Sequence, residues 1–242
     1  MGVAKRKLIA GIAVLLVLAG AAVLLMVRPR EQPVGLFTTL PILWAESATI
    51  ADMLKSRPRA HWAKAALEAR GGIVAVDSLA GLRGFDVLLM AQPRPLSPQE
   101  NVALDDWVRG GGRLLLFADP MLTAPSAFAL GDRRRPQDVV LISPILGRWG
   151  LQLSFDDGQA YGLREVAVLD MTLPVNLPGR FTLTAKHCTL GGEGLVAECR
   201  VGKGHVLALA DAALFESSDT GEDDLARAQR LHLLLDRLAK AH

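Results

Sequence analysis

Two short apolar runs in residues 86–120, separated by a helical pattern, constrain the fold of this chain more than any other feature. Residues 87–91 (VLLMA) and 114–118 (LLLFA) contain no polar side chain. Runs without polar alternation are typical of strands that are buried on both faces of a parallel sheet. A strand, a helix and a second strand over this length predict a right-handed crossover unit. The second strand ends at Asp119, at the edge where α/β sheets usually bind ligands.

The helix between the two runs has start and stop signals in the sequence. Ser97 and Glu100 have the spacing of a capping box, and Pro98 occupies the first helical position. Glycines 110–112 follow and are expected to end the helix. The apolar residues have helical spacing and predict one buried face, formed by Ala103, Leu104, Trp107 and Val108.

Strands and helices are expected to alternate through most of the remaining chain. The predicted strands are residues 34–40, 73–76, 151–155 and, within the ambiguous stretch 159–175, residues 166–169. The predicted helices are residues 46–55, 60–70 and 143–150, with Ser143 as the cap of the third. This alternation indicates an α/β fold with a mostly parallel, doubly wound sheet.

The last third of the chain predicts antiparallel strands and a final helix. Residues 181–190, 195–201 and 205–210 read as a meander added to the parallel core. Thr220 and Asp223 suggest a capping box at the start of the final helix, which is expected to pack on the sheet. Its predicted apolar stripe is Leu225, Ala228, Leu231, Leu235 and Leu238.

The N-terminal segment predicts a membrane anchor. Residues 8–27 are twenty consecutive uncharged, largely apolar residues, which matches the hydrocarbon core of a bilayer at helical rise. A cleaved signal peptide is the alternative, but no polar cleavage region follows Ala22. Lys5, Arg6 and Lys7 favour a cytoplasmic N-terminus. We therefore expect a stub, anchor and linker in residues 1–33 and an extracytoplasmic domain in residues 34–242, on the periplasmic side of the inner membrane.

Composition excludes some functions. Half of the 242 residues are hydrophobic and 21% are charged, which argues against disorder. The formal net charge of +2 gives no indication of nucleic-acid binding. The basic run Arg133, Arg134 and Arg135 predicts a solvated loop, or alternatively a docking patch for a partner or an anionic headgroup.

Catalytic motifs are not found in the sequence. No Gly-x-Ser-x-Gly or Gly-x-Cys-x-Gly elbow and no P-loop occurs, so neither a hydrolase nucleophile of that type nor an ATPase site is predicted. The adjacent His187 and Cys188 are too few to predict a metal site, and no cofactor is expected. Asp119 and Asp211 both end apolar strands, where they serve as turn and cap residues or as part of a ligand pocket.

The two cysteines are predicted to form a disulfide. A two-residue turn at Glu193 and Gly194 would place Cys188 directly opposite Cys199. An oxidising compartment would allow the bond to persist. The alternatives are a three-residue turn that separates the two residues, or a pair of buried thiols that pack as small apolar groups.

Three segments carry a resemblance to a known family. They are residues 96–120 (LSPQENVALDDWVRGGGRLLLFADP), 143–155 (SPILGRWGLQLSF) and 195–215 (LVAECRVGKGHVLALADAALF). In this order they resemble the extracytoplasmic auxiliary subunits of ABC transporters, the gliding-motility GldG-like family. The resemblance implies a flavodoxin- or glutamine-amidotransferase-like fold without catalysis, and ABC permease and ATPase subunits as partners.

Two functional hypotheses follow from the sequence. The first is a membrane-anchored, non-enzymatic auxiliary subunit of an ABC-type transport system, which the resemblance implies. The second is a periplasmic hydrolase or small-ligand-binding domain that uses Asp119 and Asp211. The missing nucleophile and general base favour the first.

Overall fold

The structure, a computed structural model, describes residues 32–46, 60–216 and 221–240. The predicted anchor at residues 8–27, most of the predicted helix at 46–55 and the Thr220 cap lie outside these residues. Within the part of the chain that is described, no helix is both long enough and apolar enough to cross a bilayer.

Five adjacent parallel strands, from one edge inwards, form most of a seven-stranded sheet. Its strand order is β2-β1-β3-β4-β11-β10-β9. The first five strands in this order run parallel to one another, and β10 is antiparallel to both of its neighbours, β11 and β9. Two further pairs, β5 with β8 and β6 with β7, are antiparallel. The strands are β1 (Val34–Thr38), β2 (Ile73–Ala75), β3 (Val87–Ala91), β4 (Arg113–Phe117), β5 (Leu151–Ser154), β6 (Arg164–Val168), β7 (Met171–Val175), β8 (Arg180–Leu183), β9 (Cys188–Gly191), β10 (Val196–Val201) and β11 (Gly204–Leu209).

The predicted crossover unit is confirmed. The helices are α1 (Trp62–Arg70), α2 (Pro98–Arg109), α3 (Ser143–Arg148) and α4 (Gly221–Lys240), and α2 connects β3 to the adjacent parallel strand β4. The Ser97 hydroxyl accepts a hydrogen bond from the backbone N–H of Glu100 at 3.2 Å, and the Glu100 carboxylate accepts one from the Ser97 N–H at 3.0 Å. Both halves of the capping box are therefore present.

The final helix packs on the sheet, as predicted. Helix α4 contacts β4, β11 and helix α1, with Leu231, Leu234, Leu235 and Leu238 buried. Leu225 was assigned to the apolar stripe, but 64% of its surface is exposed. The stripe of buried leucines therefore begins one to two turns further along the helix.

Two local predictions are wrong, and two are incomplete. Residues 181–190 form two strands, β8 and β9, because β8 pairs with β5 outside the main sheet and only β9 pairs with β10. The strand predicted at residues 166–169 corresponds to β6, and the ambiguous stretch 159–175 contains a second strand, β7, which pairs with it as a hairpin. Ser143 lies inside helix α3, whose N-cap is Ile142 and has no side-chain cap. Strand β11 also differs from a simple meander, because it pairs in parallel with β4 as well as antiparallel with β10.

Candidate functional site

Asp119 and Asp211 lie at the carboxyl ends of the neighbouring parallel strands β4 and β11. Both side chains are buried, with exposed fractions of 1% and 4%. Backbone bonds connect the strand ends, since the Ala118 N–H donates to the Leu209 carbonyl at 2.8 Å. The sequence therefore located two buried carboxyl groups at one edge of the sheet.

Each oxygen of the two carboxyl groups accepts a hydrogen bond from the backbone. Asp119 accepts from the N–H groups of Met121 at 2.8 Å and Ala212 at 3.1 Å. Asp211 accepts from the N–H groups of Asn176 at 2.9 Å and Ala213 at 2.6 Å. The two residues thus fix the turns that follow β4, β7 and β11, which is the cap and turn role that short carboxylates often have.

Burial raises the pKa of both groups. Desolvation raises the pKa of Asp119 to about 7, against the lowering effect of its two backbone hydrogen bonds. Desolvation is also the largest cause of the raised pKa of Asp211, and the charge of Asp119 adds to it. At this edge the two carboxyl groups resist simultaneous ionisation, because each disfavours the charge of the other.

A third carboxylate and a buried guanidinium lie beside this pair. Glu216 contributes to the raised pKa of both aspartates, and its carboxylate accepts a hydrogen bond from the Thr123 hydroxyl. Arg227, on helix α4 and 5% exposed, donates to the carbonyl oxygens of Ala213, Leu214 and Glu216 at 2.7–2.9 Å. Arg227 therefore attaches the final helix to the turn after β11.

His61, whose ring contacts the turn after β11 at Phe215, has no nitrogen free for general base catalysis. His61 accepts a hydrogen bond at Nδ1 from the Ala63 N–H at 3.2 Å, which makes it the N-cap of helix α1. Its Nε2 lies 3.0 Å from the Phe215 carbonyl, to which it donates. Burial lowers the pKa of His61, so the ring is a neutral cap.

The strand order reverses between β1 and β3, and this switch point is filled by protein. The Thr39 hydroxyl donates to the Gln92 carbonyl at 2.6 Å. Gln92 is fully buried and has a φ of +46°. Its side-chain amide donates to the carbonyls of Asp119 at 3.1 Å and Gln137 at 2.7 Å, and its Oε1 accepts from the Asp119 N–H. These bonds hold the loop after β4 against the position where open α/β sheets usually bind ligands.

The basic run is largely neutralised within its own loop. Arg134 pairs with Asp132 at 2.7 Å, and Arg135 pairs with Asp138 at 2.7 Å. The guanidinium of Arg134 also lies 4.2 Å from the ring centre of Phe128. Arg133 is exposed. This arrangement matches the solvated-loop interpretation more closely than a concentrated cationic patch.

The cysteines lie in a different part of the sheet. Cys188 on β9 is paired in register with Cys199 on β10, and the structure joins the two sulfur atoms in a disulfide with a Cα–Cα distance of 4.0 Å. The connection after β9 is a 3₁₀ turn at Gly192–Gly194 rather than a two-residue turn. The neighbouring His187 is exposed, and no group of three metal-ligating side chains occurs among the described residues.

Sequence reasoning did not identify several residues at the carboxyl edge: His61, Gln92, Asn176, Glu216 and Arg227. Most of them act through backbone groups that are distant in the sequence, so no short motif marks them. The Asp-Pro and Asp-Ala pairs that end β4 and β11 were the only local signals.

Comparison with known proteins yields likeness of fold alone. No protein-family profile matches the chain, and no curated protein does. A catalytic mutant of the GH42 β-galactosidase Gan42B from G. stearothermophilus matches with a TM-score of 0.52 at 11% sequence identity. The match covers 87% of this chain and 30% of the β-galactosidase chain. The N-terminal domain of mmIFT52 matches with a TM-score of 0.49 at 13% sequence identity, and the match covers 86% of this chain and 97% of that domain.

An exo-β-1,4-mannosidase from Opitutaceae bacterium strain TAV5 has a TM-score of 0.45 at 15% identity and is covered over 34% of its length. The chain therefore spans about a third of the glycosidases that it matches. With the β-galactosidase, the likeness supports a mixed α/β fold with a mostly parallel sheet.

Proposed function

We propose that this chain is a membrane-anchored, non-enzymatic auxiliary subunit of an ABC-type transport system. Residues 34–242 act in the periplasm by binding protein partners or a ligand, and the permease and ATPase subunits are the proposed partners. The support is the resemblance carried by residues 96–120, 143–155 and 195–215.

The proposal that the chain is not an enzyme depends mainly on the hydrogen bonds made by the carboxyl groups at the carboxyl edge of the sheet. All four carboxyl oxygens of Asp119 and Asp211 accept backbone N–H groups. A catalytic carboxylate needs an oxygen within reach of substrate, and a nucleophile needs a neighbouring base. Both nitrogens of His61 have hydrogen-bond partners, which supports a structural role for this edge.

The strand order supports the finer fold assignment. The five parallel strands follow the order 2-1-3-4-5 when β11 is counted as the fifth, which is the order of flavodoxin-like sheets. The connection from β1 to β2 and that from β3 to β4 run in opposite directions across the sheet. Right-handed crossovers then place α1 and α2 on opposite faces, as expected for a doubly wound, amidotransferase-like domain.

The anchor and the location belong to the same proposal. Residues 8–27 have the length and hydropathy of a span, and residues 5–7 have the charge of a cytoplasmic flank. The proposal is tested by isolating the full chain from inner membranes and identifying the subunits that remain bound to it. N-terminal sequencing of the same material should find residues before Leu8, and a start beyond Ala22 would contradict the retained anchor.

The alternative function, a hydrolase or ligand-binding domain at the sheet edge, is favoured by the position of two buried carboxyl groups at the ends of the neighbouring strands β4 and β11, where burial raises the pKa of both. Coupled carboxyl groups of this kind also occur at catalytic sites. Asp119→Asn and Asp211→Asn, expressed from the native locus, should preserve the transport phenotype of the host. An exposed control, Asp157→Asn, should do the same. Loss of the phenotype in both edge variants, at an unchanged melting temperature, would establish the edge as a functional site.

A further inference from the structure

A row of basic side chains lies at the opposite, amino-terminal edge of the sheet. Arg113 on β4, His205 on β11 and Arg200 on β10 are register partners, since His205 pairs with Arg113 on one side and with Arg200 on the other. Directly paired residues project from the same face of a sheet. Together with Lys203, these three side chains line a cavity of about 430 Å³.

The turn that presents Lys203 is held in place by helix α2. Gly202 has a φ of +62°, which favours glycine. A Cβ on Gly204 would overlap the carbonyl oxygen of Val108. The backbone N–H of Lys203 donates to the Arg109 carbonyl at 3.0 Å. Because close packing fixes the backbone of this turn, the Cα positions of Lys203 and His205 at the cavity are well defined.

The positive charges of this cavity are not balanced by the groups around it. Among the described residues, Arg113, Arg200 and Lys203 have no ion pair and no side-chain hydrogen bond within contact distance. Asp86 is the one carboxylate among the lining residues. Glu198, on the same strand as Arg200, is instead paired with Arg237 of helix α4. Three cations against one carboxylate leave a net positive cavity.

His205 adds a buried polar group to the lining of this cavity. Its exposed fraction is 7%, and its Nδ1 has no hydrogen-bond partner in the described structure. A buried polar atom without a partner costs about 1–3 kcal/mol. Burial lowers the pKa of His205, as do the charges of Arg200 and Arg237, whereas Glu198 raises it. An anion in the cavity would offset the charge of Arg200 and so favour the protonated form of the ring.

We propose that Arg113, Arg200, Lys203 and His205 form a binding site for a phosphate group. Guanidinium groups match the geometry of phosphate oxygens, and a cavity of this size accommodates a substituted phosphate. The phosphate belongs to a soluble phosphate ester or to a lipid headgroup. Residues 32 and 33 lead into β1 at this same edge of the sheet. The site is independent of the proposed transport function.

A structural explanation for these cations makes a different prediction. Cavity-lining residues Gly111 and Ala239 lie just beyond α2 and near the end of α4, and cations stabilise the negative C-terminal ends of helices. In that case, removing the charges would lower the melting temperature, and no anion would bind.

The test is calorimetric titration of the full chain, purified in a neutral detergent, with inorganic phosphate and with dihexanoyl phosphatidylglycerol. Dihexanoyl phosphatidylcholine is the zwitterionic lipid control. Arg200→Gln/Lys203→Gln should weaken binding about tenfold or more, because two charge-assisted hydrogen bonds are lost. The matched pair Arg164→Gln/Lys186→Gln, an exposed arginine and lysine elsewhere, should bind as the unaltered chain does.

The results distinguish a soluble phosphate from a lipid headgroup, and a binding site from a purely structural role of these cations. Binding of phosphate alone identifies a soluble phosphate ligand, whereas binding of the phosphatidylglycerol alone identifies a headgroup. Either supports the site if the Arg200/Lys203 variant loses it. The proposal is overturned if neither probe binds, or if the Arg164/Lys186 control loses affinity equally. A His205→Asn variant that folds and retains full affinity would contradict the role of His205.

Discussion

At the scale of single residues, the defining feature is that Asp119 and Asp211 are buried acceptors of backbone hydrogen bonds. Hydrogen bonds compensate for the burial of these two side chains, since each carboxyl group accepts two backbone N–H groups and so connects two turns. Burial raises the pKa of both. Their protonation therefore contributes to the pH dependence of folding.

We expect the stabilising effect of Asp119 to decline as pH rises from about 4 to about 7. A carboxyl group with a raised pKa binds more protons in the folded state than in the unfolded state across this interval, so its contribution is complete below the unfolded pKa and is lost towards the folded one. His61 and His205, whose pKa values are lowered, act in the opposite direction. The difference between the unaltered chain and Asp119→Asn removes the contribution of the histidines and retains that of Asp119 together with its coupling to Asp211.

The measurement is urea unfolding at pH 4.5, 6.0 and 7.5. The free energy of unfolding of the unaltered chain, minus that of Asp119→Asn, should decrease with pH. Asp157→Asn, at an exposed position, should give a constant difference. A difference that stays constant or rises for Asp119→Asn would show that the folded-state pKa is not raised.

The positions of Asp119 and Asp211 at strand ends could be predicted from the sequence, because each residue directly follows an apolar run. It did not place Gln92, Asn176 or Arg227, because their partners lie 11 to 45 residues away along the chain. Contacts of this kind depend on how loops close over the sheet, and no local pattern encodes that closure.

At the scale of elements, the hairpin β9–β10 carries the only covalent cross-link among the described residues. The register of Cys188 and Cys199 matches the expected one although the turn itself differs, because the 3₁₀ turn keeps Gly191 opposite Val196. Register therefore depended on the total count of residues in the connection more than on the turn type.

The disulfide should stabilise the folded chain by about 2–3 kcal/mol, since it closes a short loop with a separation of 11 residues. Urea unfolding with and without reductant measures this contribution. Cys188→Ala/Cys199→Ala is the matched control and should be insensitive to reductant. Alkylation of unreduced, denatured protein should label no cysteine. Labelling of both would contradict the bond.

Element boundaries were best predicted where buried strands flank a capped helix. The β3–α2–β4 unit matches the expected one to within a residue, because a capping box and glycines mark its ends. The prediction was incomplete at residues 159–175, where β7 was not foreseen, and wrong at residues 181–190. Their exposed strands β6 and β8 have weak apolar alternation, and their partners are decided by tertiary contacts with β7 and β5.

At the scale of the whole molecule, the mixed α/β sheet has two edges of different chemistry. The carboxyl edge is closed by loops tied through Gln92 and Asp119. The amino edge is open and carries the cavity lined by Arg113, Arg200 and His205. The sequence predicted the parallel core from its apolar runs. It did not predict the basic row, because residues 113, 200 and 205 come together only when β11 inserts between β4 and β10.

The central claim, that the chain acts by binding transporter subunits, is tested most directly by affinity purification of the full chain, with a C-terminal tag, from native membranes in mild detergent. Mass spectrometry should find an ABC ATPase and a multi-span permease in fixed proportion to the chain. The same pair should be recovered with Asp211→Asn at an unchanged melting temperature, since that carboxyl group is proposed to contact no partner subunit. Recovery of the chain alone, with crosslinking before extraction also yielding no ATPase or permease, would contradict the account.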